Sequence, residues 1–129
     1  MLEQNTHLLI DSVLVGKTVS LDTGKATAEL MATPDMGADE RGLVHGGFTF
    51  GLADFAAMLA VNDPNVVLGG AETQFLAPVQ VGQRMVATAK IASNSGKKRT
   101  VQVEVKAADT IVMTGTFTCF VLPRHVLDR

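Results

Sequence analysis

Apolar and polar residues alternate over several short stretches of this chain and cease to alternate over one. From Val13 to Leu21, Val13, Val15, Val19 and Leu21 fall on one side, and Leu14, Gly16, Thr18 and Ser20 on the other. Period-two spacing predicts a strand half-buried against a core. Asp22-Thr23-Gly24 supplies a turn. Lys25 to Ala32 then alternates again, setting Ala26, Ala28, Leu30 and Ala32 against Lys25, Thr27 and Glu29. The two runs predict a hairpin. Met31 to Arg41, with Pro34, Gly37 and several acids, reads as loop.

Phe48 to Asn62 is different. It is rich in Ala, Leu, Met and Phe, and it stops before Asp63-Pro64. Its apolar residues surround the whole cylinder, which predicts a buried helix. Three more strand runs follow at Val66–Leu76, Arg84–Ser93 and Arg99–Ala107, separated by Pro78, Gly82 and the turn Asn94-Ser95-Gly96-Lys97. A last strand covers Thr110 to Leu122, with Ile111, Met113, Phe117, Cys119 and Val121 opposed to Thr114, Thr116 and Thr118. His7 to Ile10 is expected to form a short leading helix. The sum is an α+β domain over residues 1–129, an antiparallel sheet of five to six strands wrapped round one long buried helix. A helix apolar on all sides needs cover beyond one sheet. A second copy of the chain is the simplest cover, so a homodimer or homotetramer is expected.

Composition narrows the function classes. The 129 residues are 47% hydrophobic and 19% charged, with a formal charge of −2. That balance supports a packed core and makes nucleic acid an unexpected partner. One cysteine, Cys119, excludes an internal disulfide. His7, His45 and His125 are too scattered for a structural metal site. No stretch reaches the roughly 20 apolar residues of a membrane span, and Met1 to Asn5 lacks the basic start of a signal peptide. A cytoplasmic protein with no membrane partner is the expectation.

The residues with chemical potential gather about the helix. Asp54 stands in its middle, between Ala53 and Phe55. An unpaired carboxylate there is costly to desolvate. Either a partner group or groove water satisfies it, or it works as a perturbed acid at a site. Gly47, Phe50, Gly51 and Met58 share its face. The two glycines suit either close helix packing or a slot for substrate. His45-Gly46-Gly47 opens the helix with no Ser, Thr, Asn or Asp at the cap, so its first amides are free to bind water or a developing oxyanion. Gly46 and Asp54 are eight residues apart, roughly 12 Å along a helix axis. One carbonyl cannot touch both on the same helix, so joint action needs two subunits. Lys97, Lys98 and Arg99 mark a hairpin tip, read either as a solvated turn or as a phosphate contact. Thr73 and Gln74 can line the groove or answer to strand pairing. Cys119, in register with Phe117 and Val121, reads as core. The sequence has no Gly-x-Ser-x-Gly elbow, P-loop or dinucleotide fingerprint.

The stretch Leu43-Val44-His45-Gly46-Gly47-Phe48-Thr49-Phe50-Gly51-Leu52-Ala53-Asp54 resembles the helix entry of hotdog-fold acyl-CoA thioesterases, closest to the phenylacetic-acid-pathway (PaaI-like) group. Such proteins show a similar His-Gly-Gly with an acid nine residues after the histidine. Gln74-Phe75-Leu76-Ala77-Pro78-Val79-Gln80-Val81-Gly82 is similar to a second family pattern. The resemblance spans about residues 10 to 122. It implies Asp54 as nucleophile or general base, the Gly46 amide of the facing subunit on the thioester carbonyl, Gly47 extending that site and His45 orienting loop or substrate. It also implies coenzyme A as part of the substrate, with no metal and no other cofactor. Phe50, Met58 and Phe75 would line an apolar pocket for an aryl or short-to-medium acyl group, and Lys97 and Arg99 would meet the coenzyme A phosphates. Two positions depart from the pattern. Asp39 replaces an asparagine common in relatives, and Leu68 falls where some carry an assisting hydroxyl, with Thr73 as the nearby substitute. The competing readings are a non-catalytic acyl-CoA-binding or sensing protein and a hotdog enoyl-CoA hydratase. The hydratase usually needs an acid five residues before a catalytic histidine, and here only Glu40 and His45 have that spacing, in another setting.

Overall fold

The computed structural model describes residues Met1–Asp128. Strands β1 (Lys17–Asp22) and β2 (Lys25–Met31) form the first hairpin, and a 3₁₀ turn at Pro34–Met36 leads into helix α1 (Gly46–Val61). Strands β3 (Val66–Phe75), β4 (Arg84–Ser95), β5 (Lys98–Ala107) and β6 (Thr110–Val121) follow. All six make one antiparallel sheet in the order β1-β2-β4-β5-β6-β3. The sheet curls round α1, and their shared core holds Leu30, Leu52, Phe55, Leu59, Met85, Val101, Val105 and Phe117. This is the α+β hotdog fold.

The β2–β4 pair explains why helix and sheet fit so closely. Ala26 and Ala28 of β2 and Ala87 and Ala89 of β4 are buried at directly paired positions, Ala26 with Ala89 and Ala28 with Ala87. Small side chains on these two strands let the helix approach, and Phe55, Leu52 and Leu59 fill what remains. Gly16 belongs to the same fit: a Cβ there would stand 2.8 Å from Leu52 Cδ1.

Three details differ from the alternation-based expectation. Residues 13–15 are not strand. Asp11 Oδ1 accepts the amides of Val13 (2.8 Å) and Leu14 (3.0 Å), folding them into a turn, so β1 starts only at Lys17. His7 to Ile10 likewise forms turns and not a helix. The residues just before it are tied to the helix end, where the Asn62 side chain, at the left-handed end of α1 (φ 53°), accepts from Asn5 N–H and donates to the Glu3 carbonyl. The third difference is in the phase of two strands. An extra residue at Val19 breaks the β1–β2 register, and one at Val112 breaks β5–β6. Val19 and Ile111 therefore turn to solvent, while Val112 takes the buried place.

Candidate active site

Helix α1 starts two residues before its first phenylalanine. His45 is its N-cap and offers no side-chain bond to the free amides. Phe48 N–H bonds to the His45 carbonyl at 3.1 Å, and no acceptor among the described residues meets the Gly46 or Gly47 amide. The loop before the helix is cross-linked by hydrogen bonds: Asp39 Oδ1 accepts from Arg41 N–H (2.9 Å) and Leu43 N–H (3.2 Å), while His45 N–H donates to the Met36 carbonyl. Asp39 thus folds the entry loop. The His45 ring is exposed, lies edge-on to Phe48 and crowds Gly47, where a Cβ would stand 3.0 Å from it.

Most of α1 is buried, but one stripe is open. Gly47, Gly51, Asp54 and Val61 lie along it, and the space over Gly51 is empty for at least 4 Å. Asp54 is half-buried here, its Oδ1 enclosed and without a hydrogen-bond partner among the described residues. Burial pushes its carboxyl up to about 6. The Cys119 thiol, wholly buried, is pushed up to about 12, first by burial and then by the negative charge of Asp54. Residues directly opposed in an antiparallel pair share a face. Leu68 pairs with Cys119, so both stand on the inner face beside the acid, and the hydroxyl expected there is replaced by hydrocarbon. Thr73 pairs with Gly115 further along the same face.

A cavity of about 390 Å³ opens beside Gly46, lined among others by Val44, Thr49, Phe75, Val79 and Val112. Of the three apolar residues expected to line an acyl pocket, Phe75 alone borders it. Phe50 stacks on Phe117 with ring centroids 5.5 Å apart, and Met58 is sealed in the core at 1% exposure. Neither shapes a cavity within one chain. Lys97 and Arg99 stand at the other end of the sheet, since β6 meets Lys98 at Phe120 but approaches Phe75 at Met113. That is roughly 23 Å of strand. The Arg99 guanidinium donates to the Gly96 and Lys98 carbonyls, and it borders a second cavity of about 470 Å³ with Lys25 and Lys90. A single chain therefore collects Gly46, Gly47, His45 and Phe75 at one place and Asp54 at another. Thr49 and the electrostatic coupling of Cys119 to Asp54 were not singled out in the sequence, although Thr49 follows Gly46 by three residues and so shares its face.

The sequence model of the thioesterase superfamily matches residues 41–114, which include the whole helix and its glycine entry. The chain belongs to the thioesterase superfamily. An uncharacterized protein of Pyrococcus horikoshii superposes with a TM-score of 0.97 at 54% identity, covering 98% of both chains. A mutant of the phenylacetic acid degradation protein PaaI of Thermus thermophilus superposes with a TM-score of 0.78 at 32% identity, over 84% of this chain and 95% of that one. Two curated relatives are longer. A methylthioribose-1-phosphate isomerase of Aquifex aeolicus is 47% identical over 118 residues, 91% of this chain but 26% of that protein. The transcription factor FapR of a Thermoanaerobacter species is 27% identical over 98% of this chain and 64% of its own length. This thioesterase-superfamily chain thus spans about a quarter of one relative and just under two thirds of the other.

Proposed function

We propose that the chain is an acyl-CoA thioester hydrolase whose active site is shared between two copies. The observation that carries this reading is Asp54: a carboxylate with an enclosed, partnerless oxygen on the open stripe of a helix whose first amides are also unbonded. Each group lacks what the other end of a second, antiparallel helix would bring. The free edge of the sheet at β3, ten residues long, gives the second copy a place to add.

In the reaction, the Gly46 and Gly47 amides of one subunit receive the thioester oxygen, with the positive end of the helix dipole behind them. Asp54 of the other subunit takes a proton from water as the oxygen of that water bonds to the carbonyl carbon, or its own oxygen attacks first and water releases the acyl-enzyme. The carbon–sulfur bond breaks, and coenzyme A leaves as a stable thiolate that needs no strong acid. The products are a carboxylic acid and coenzyme A. No metal and no cofactor beyond coenzyme A is used, and the setting is cytoplasmic. Phe75 borders the acyl group, His45 holds the loop, and Lys97 and Arg99 of the facing subunit reach for the phosphates.

The test is thiol release from a panel of aryl, short, medium and long acyl-CoA thioesters by the parent and by Asp54→Asn. A 100-fold or greater fall in the variant, the scale of a lost catalytic base, supports the reading. Equal rates in parent and variant, or no turnover of any thioester, refute it. The second reading is a non-catalytic acyl-CoA sensor. It is favoured by the similarity of nearly the whole chain to part of a transcription factor and by Leu68 in the hydroxyl position. Saturable binding of acyl-CoA without hydrolysis would establish it.

A further inference from the structure

Among the described residues, the lining of the 390 Å³ cavity beside Gly46 has a single polar side chain, and that side chain is almost wholly enclosed. Thr49 is 3% exposed. A helical threonine ordinarily returns its hydroxyl to a carbonyl one turn back. Here the hydroxyl donates to Met85 Sδ at 3.4 Å. A thioether is a weak acceptor, and the threonine oxygen keeps its own accepting capacity. Its neighbours in the cavity wall, Val44, Phe75, Val79 and Val112, offer only hydrocarbon side chains. Valine would fill the same volume without burying a half-used hydroxyl. A polar group so placed makes sense if an occupant of the cavity uses it.

Its position defines that occupant. Thr49 follows Gly46 by three residues, a rise of roughly 4.5 Å. We propose that Thr49 selects the acyl group: the cavity takes a short 3-hydroxyacyl chain, whose hydroxyl donates to Thr49 Oγ1. The inference rests on the thioester reading for the place of the carbonyl, at the Gly46 amide. From there, two carbon–carbon bonds and one carbon–oxygen bond lead to the substrate hydroxyl, a span that suits the rise to Thr49. A plain alkyl chain of equal length leaves the Thr49 oxygen unmatched.

The test uses the whole chain and two matched pairs of thioesters, butyryl-CoA against 3-hydroxybutyryl-CoA and hexanoyl-CoA against 3-hydroxyhexanoyl-CoA. The parent should favour the hydroxylated member of each pair about tenfold in kcat/KM, the scale of one buried hydrogen bond. Thr49→Val should erase that ratio, and Thr49→Ser should keep it. No preference in the parent, or an unchanged preference in Thr49→Val, overturns the proposal. If no thioester is cleaved, hydrolysis itself is refuted, and the same pairs are compared as intact ligands by calorimetry. A ratio of Kd values that vanishes in Thr49→Val then supports the role of Thr49, and equal Kd values for both members of a pair overturn it.

Discussion

Asp54 shows how one residue sets function against stability. Its carboxyl holds a proton more tightly in the folded chain, at about 6, than in the unfolded chain, near 3.8. Ionising it therefore costs stability. The cost is absent at low pH, develops between about pH 4 and 6, and is complete above that. At roughly 1.4 kcal/mol per unit, it amounts to about 3 kcal/mol. Asp54→Asn is thus expected to be catalytically dead yet more stable than the parent at pH 7.5, with the gap closing below pH 4. Urea titrations of both proteins across that range test it. The same group predicts that log kcat/KM rises with unit slope below about pH 6 and levels off above it, as the base form becomes complete. Cys119 makes a simpler expectation. A thiol held near 12 and wholly buried should ignore a thiol reagent at pH 8 until the protein is unfolded. The acid could be found from sequence because a charge inside an apolar helix is anomalous wherever the helix lies. Its influence on Cys119 could not, since that depends on which strand the register brings to that face.

Elements were legible where a periodic pattern met an unambiguous stop. The helix between Gly47 and Pro64 and the alternation of β5 are of that kind. The bulges at Val19 and Val112 were not, because one extra residue changes the face of a side chain without changing composition. The turn at Val13–Val15 was missed for a related reason: Asp11 outcompetes a good alternating pattern by bonding two amides. The β3–β6 pair carries a testable fit of its own. A Cβ at Gly115 would meet Thr73 Cγ2 at 2.9 Å, Phe117 Cε1 at 3.0 Å and the Glu72 carbonyl at 3.2 Å. Gly115→Ala should cost about 1 to 3 kcal/mol by overpacking. Adding Thr73→Ser removes the nearest methyl and should restore part of it, measured as a double-mutant cycle.

At the scale of the molecule, the fold was readable and the assembly was only implied. Local patterns specify strands and a helix, but the cavity beside Gly46 is formed by residues drawn from the helix entry, the β3–β4 connection and the β6 bulge, which no short motif links. The separation of Gly46 from Asp54 makes the shared-site proposal directly testable. Gly46→Val and Asp54→Asn should each be inactive alone. Mixed after dissociation and reassembled at random, they should recover about a quarter of parental activity, because half of the dimers are hybrids with one intact site. Recovery of none would place both groups' work within single chains or nowhere.

The open stripe on α1 has an angular meaning as well as a chemical one. Gly47, Asp54 and Val61 recur every seven residues, nearly two turns, so the carboxylate keeps the bearing of the bare entry glycine. Inserting one alanine between Gly51 and Leu52 would swing everything downstream by about 100°. Asp54 would then face the wall now occupied by Phe55, and a core residue would take the stripe. The helix thus works as a dial with one usable setting. The count of residues from Gly47 to Asp54 is therefore fixed by the stripe.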